Sequence, residues 1–102
     1  MHTGMLWFEN SETALNIKIL KAVEYYLGKY GKAPDLILIH PSMLDGEHQV
    51  PEKHQVPGEL NCSYRVGNDP HGELKAQKVK FTVRQYRPVL PGHIWIGIED
   101  KN

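Results

Sequence analysis

The sequence predicts an α+β domain of two layers, one long helix packed on a mixed sheet of about five strands in the order β-α-β-β-β-β. Three observations predict it. One stretch alone, between about residues 11 and 30, carries an apolar stripe at helical spacing. Leu36-Ile37-Leu38-Ile39 is aliphatic at every position, as a strand buried on both faces would be. Three later stretches alternate apolar and polar residues between dense turn signals.

The first strand is expected at Met5-Leu6-Trp7-Phe8-Glu9, a short apolar run. Asn10 and Ser11 are good N-cap residues, and Glu12 would face the positive end of a helix dipole. The helix should therefore start at Ser11 or Glu12 and run to Tyr30. Its core stripe is Leu15, Ile19, Ala22, Val23, Tyr26 and Tyr30, widened by Leu20 and Leu27. Gly31 is placed to end it in a left-handed turn, and Pro34 blocks continuation. Gly28 sits oddly inside the last turns.

Strand, helix and strand within so short a span make a βαβ unit, with its two strands expected parallel. The second of them, Leu36 to His40, should be central, and Pro41 ends it. Residues 41–59 read as a flexible loop holding a twice-repeated motif, His48-Gln49-Val50-Pro51 and His54-Gln55-Val56-Pro57. Two copies are too few for a repeat fold.

Leu60 to Val66 reads as a strand with Leu60, Cys62, Tyr64 and Val66 on one face. Gly67-Asn68-Asp69-Pro70-His71-Gly72 is a turn. Lys78 to Tyr86 alternates, with Val79, Phe81 and Val83 facing one way and Lys80, Thr82 and Arg84 the other. The two strands should form an antiparallel hairpin. His93 to Glu99 is the last strand, with Ile94, Ile96 and Ile98 on one face and Trp95 and Gly97 on the other.

Composition narrows function. Of 102 residues, 40% are hydrophobic and 24% charged, which is globular composition in one domain spanning 1–102. Twelve Lys+Arg balance twelve Asp+Glu, which argues against a strongly basic nucleic-acid module. The longest wholly aliphatic run falls far short of the roughly 18 residues of a membrane span. No secretory signal is visible, so the expected compartment is the cytoplasm. The single cysteine, Cys62, excludes an intrachain disulfide framework and reads as an inert buried thiol.

Chemistry-bearing patterns are weak. The histidines at 40, 48, 54, 71 and 93 are scattered, and His2 stands apart. The closest pair, His48 and His54, lies in a proline-containing loop without a preorganised third ligand. His40-Pro41-Ser42-Met43-Leu44-Asp45 is similar to part of the signature of JAMM-type metalloproteases. Position 38 is Leu where the first histidine would stand, and the Ser-x-x-Asp follows without a spacer, so that reading is rejected. Pro34-Asp35 with Glu73-Leu74-Lys75 supplies the letters of a paired-carboxylate nuclease and little else. No Gly-rich phosphate loop occurs. No metal and no cofactor are expected.

The most organised polar feature is a ridge on the helix, made by Lys18, Lys21, Tyr25, Lys29 and Lys32. Lys78, Lys80 and Arg84 form a second basic row. A single helix covers only one face of a sheet, so the other face needs a cover, and a second copy of the chain is the favoured one. The expectation is a small non-catalytic interaction or assembly module, homo-oligomeric or bound to another protein. Its candidate binding residues are Lys18, Lys21, Tyr25, Lys29 and Trp95. The alternatives are a small hydrolase or nuclease with His and carboxylate groups near the end of the second strand, or a nucleic-acid module using the lysine ridge. No membrane partner is expected.

Overall fold

The computed structural model describes residues 3–8, 14–43 and 55–98. Its elements are β1 (Thr3–Phe8), α1 (Leu15–Tyr30), β2 (Leu36–Ile39), β3 (Gln55–Arg65), β4 (Leu74–Gln85) and β5 (His93–Ile98), with 3-10 turns at Pro41–Met43 and Val66–Asn68. The strands form one mixed sheet in the order β1-β5-β2-β4-β3, with α1 against one face. This is the α+β class that the sequence predicts.

β2 takes the centre, as four unbroken aliphatics require, and all four are buried. β1 and β2 each pair antiparallel with β5, so they run parallel to each other with β5 inserted between them. On the other side β2 pairs parallel with β4.

α1 starts at Leu15, not at Ser11 or Glu12. Ala14 has extended backbone angles (φ −58°, ψ 148°), and no side chain among the described residues caps the helix. Local capping signals contribute only about 1 kcal/mol, so packing on the core can override them. The other end is as expected: Gly31 adopts the left-handed conformation (φ 70°) and its N–H donates to Leu27 O at 2.8 Å. Gly28 now has a reason. The Asn68 side chain lands on it, donating from Nδ2 to Tyr25 O at 3.2 Å, and a Cβ at position 28 would collide with Asn68. A second tie joins helix and hairpin, where the Ser63 N–H donates to the Glu24 carboxylate at 2.7 Å.

The main core lies between α1 and the sheet. Ile19, Ala22, Val23, Tyr26 and Leu27 meet Ile37, Ile39, Cys62, Val79, Phe81, Ile94 and Ile96. Tyr30, expected in that stripe, is exposed and stacks on Tyr26 instead, with ring centroids 4.6 Å apart.

The β3–β4 hairpin is longer than its alternating residues suggest. Pairing runs unbroken from Gln55↔Arg84 to Arg65↔Leu74. Residues 55–59, read as loop, belong to β3, and 44–54 of that expected loop lie outside the described residues. Val66, expected in the strand, starts the 3-10 turn. Leu74 to Lys78 are all exposed, so they show no core-facing alternation for the sequence to signal.

Candidate interaction surface

Strand alternation sorts the side chains onto two faces. Toward α1 point Met5 and Trp7 of β1, Ile94 and Ile96 of β5, Ile37 and Ile39 of β2, and Val79, Phe81 and Val83 of β4. Trp95 lies on the opposite face, as its alternation with the isoleucines predicts. One register row there reads Leu6, Trp95, Leu38, Arg84 across β1, β5, β2 and β4. The row beside it reads Gly4, Gly97, Leu36, Thr82. The Trp95 indole leans over Gly4, where any Cβ would strike it.

The helix-free face is closed in part by the chain itself. Leu36 and Leu38 are buried with Val89, from the connection between β4 and β5, and Trp95 packs against them. Beside Trp95 opens a cleft of about 280 Å³ lined by Leu38, Arg84, Tyr86, Val89 and Trp95. Beyond this cover the described residues leave large apolar side chains exposed. Leu6 is 59% exposed, Phe8 62% and Leu90 64%, and Tyr86 is also exposed. The Phe8 ring meets the His93 ring at 4.9 Å. Sequence reasoning overlooked Leu6, Phe8, Tyr86 and Leu90. The signal for the first two was present: Met5-Leu6-Trp7-Phe8 is apolar on both faces, as Leu36-Ile37-Leu38-Ile39 is.

The five residues expected to bind do not come together. Lys18, Lys21, Tyr25 and Lys29 ride on α1, while Trp95 is on the far side of the sheet. Lys21 and Lys29 are exposed and Lys18 half-buried. Tyr25 stacks against Trp7 at 5.1 Å, and the Lys29 ammonium sits 5.3 Å from the Tyr30 ring. Lys32 follows Gly31 and is therefore off the helix. The second basic row, Lys78, Lys80 and Arg84, alternates with the core-facing residues of β4 and so shares the helix-free face with Trp95. Lys78 faces Glu59 at 3.9 Å.

The groups considered for catalysis are dispersed. Asp35 precedes β2 and aligns with the Phe81–Thr82 level of β4, since its carbonyl accepts from the Thr82 N–H at 2.9 Å. Glu73 lies about 26 Å further along that strand, at roughly 3.3 Å per residue. His71 sits in the hairpin turn, at the opposite end of β4 from His40. Asp45, His48 and His54 lie outside the described residues. The His40 ring accepts at Nδ1 from the Ser42 N–H at 3.0 Å and lies 2.8 Å from Ser42 Oγ. This contact spans two residues and caps the turn at Pro41–Met43. No group of three or more His, Cys, Asp or Glu suited to a metal occurs among the described residues. Burial, reinforced by the Glu24 carboxylate, pushes the Cys62 thiol up to about 11. At neutral pH it is protonated and a poor nucleophile.

No protein-family model, no curated protein and no solved structure matches the chain. No helix among the described residues is long and apolar enough to cross a membrane.

Proposed function

We propose that the chain is a non-catalytic interaction module that works as a homo-oligomer, using the helix-free face of its sheet. One observation carries this reading. Leu6 and Phe8 stand exposed on the face that α1 does not reach, and the exposed Tyr86 lines a cleft there with the half-buried Trp95. Large aromatic and aliphatic side chains gathered in this way are the composition of a contact surface. Removing a few hundred Å² of apolar surface from water contributes several kcal/mol, at roughly 25 cal/mol per Å² before association costs. A closed two-fold dimer is the commonest arrangement that achieves it.

Light scattering coupled to size exclusion tests the reading. The expected mass at micromolar concentration is twice 11.7 kDa. Trp95→Asp is a blunt probe, because Trp95 also packs on Leu36, Leu38 and Val89. Phe8→Asp is sharper, since Phe8 is mostly exposed and its loss costs the fold little. That variant should be monomeric with an unchanged circular dichroism spectrum. A wild-type mass near 11.7 kDa rejects the proposal.

A nucleic-acid reading has one observation in its favour, the basic row of β4 on the same face as Trp95 and beside Tyr86. Single-stranded nucleic acid is held by such a pairing of cations with stacking rings. Submicromolar, steeply salt-dependent binding at physiological salt would promote it over the homo-oligomer.

A further inference from the structure

Two strands bound the sheet, and they are built differently. Among the described residues β1 pairs only with β5, and β3 only with β4. An edge strand presents a row of N–H and C=O groups that can template another strand. β3 carries the residues that discourage this: Pro57, which has no N–H, and the charges of Glu59 and Arg65. Its Ser63 N–H is already taken by the Glu24 carboxylate. β1 has none of these devices. Thr3-Gly4-Met5-Leu6-Trp7-Phe8 contains no proline and no charge, and its register with β5 is continuous from Thr3↔Ile98 to Phe8↔His93, without a bulge.

We infer that β1 is the seam of the homo-oligomer, with β1 of a second copy of the chain adding antiparallel to it about a two-fold axis normal to the sheet. The inference rests on the homo-oligomer reading and gives it a geometry. In such a pairing only a residue near the axis meets its own copy. β1 carries no charge at any position, so no placement of the axis brings like charges together; in β3 an axis near Glu59 or near Arg65 would. An axis normal to the sheet puts both helices on one side and joins the two helix-free faces. Leu6 and Phe8, exposed at the margin of a single chain, then become interior to a continuous apolar strip. Trp95, one strand further in, already has cover from its own chain.

Hydrogen exchange on the full chain tests the seam, run well above and well below the concentration at which the mass changes. At a total chain concentration of about 100 times the dissociation constant, about 7% of the chain is still monomer, so β1 amides directed away from β5 should exchange roughly 15-fold more slowly than in the monomer. Amides of residues 86–92 should not change. Leu6→Lys, which puts a charge at the seam, should give a monomer with its helix intact. A dimer in which the outward β1 amides exchange equally fast at both concentrations overturns the seam and leaves the homo-oligomer standing. So does a Leu6→Lys variant that dimerises like the wild type. A wild-type chain that is monomeric throughout overturns both.

Discussion

β2 shows the same side-chain chemistry to both sides of the sheet, yet its two faces are covered in different ways. Ile37 and Ile39 lie under α1, within a large core that draws on the helix and four strands. Leu36 and Leu38 are no less buried, and among the described residues their apolar cover is Val89 of the β4–β5 connection and the half-buried Trp95. The first cover is a regular element pinned at both Glu24 and Asn68. The second depends on the connection after Gln85 and reaches neither Leu6 nor Phe8. Burial of a central strand thus says that both faces are covered, without saying how widely. The uneven cover leaves Leu6 and Phe8 exposed on the helix-free side of the sheet.

The largest expected effect tests the stronger face. Ile37→Ala opens a cavity beneath α1 that the pinned helix cannot collapse into, and should cost about 2–5 kcal/mol in denaturant unfolding. Val89→Ala removes fewer atoms from a looser cover and should cost about 1–2 kcal/mol. Equal costs would mean that the helix-free face is a second full core, and would weaken the case for a contact surface there.

The same contrast explains what could be read from sequence. Periodicity revealed α1 and the faces of β5, because each of those residues has one packed side and one other side. The C-terminal stop at Gly31 was legible because left-handed backbone nearly demands glycine. The start at Leu15 was not, because cap residues are a weak local preference that tertiary packing outweighs. The outer half of the hairpin escaped because Leu74 to Lys78 face solvent on both sides. The candidate surface was half legible. Alternation separated Trp95 from the isoleucines without telling which face the helix covers, and the lysine ridge was joined to Trp95 only in sequence, with no topology to show that α1 and Trp95 lie on opposite sides. Gly28 looked like a weak point and is the landing place of Asn68.

A smaller effect sharpens the view of the helix-covered face. Trp7 Nε1 is buried there and meets no hydrogen-bond partner among the described residues, while its ring packs on Tyr25. An unsatisfied buried donor bears its desolvation penalty uncompensated. Trp7→Phe removes that donor and keeps an aromatic in place, so the loss of area and the relief of the donor should nearly cancel. The expected change in unfolding free energy is less than about 1 kcal/mol. A loss of several kcal/mol would show that the indole packs too tightly to be replaced.

The smallest effect is confined to alkaline pH and concerns Cys62, on the helix-covered side of β3. Its thiol is raised from an ordinary 9.0 to about 11, first by burial and then by the Glu24 carboxylate. Above pH 9 the unfolded chain releases this proton while the folded chain keeps it. The unfolded state then binds fewer protons, and stability falls as pH rises. The contribution is therefore fully present below about pH 9 and is lost between 9 and about 11. Tyr26 is shifted upward as well, chiefly by burial, and acts in the same direction, so a comparison is needed to isolate the thiol. In Cys62→Ala the tyrosine remains and the thiol is gone. Denaturation midpoints measured at pH 7 and pH 10 should fall more for the wild type than for Cys62→Ala. Parallel falls would mean that the thiol titrates alike in folded and unfolded chains, and that the helix-covered face is wetter at Cys62 than its burial indicates.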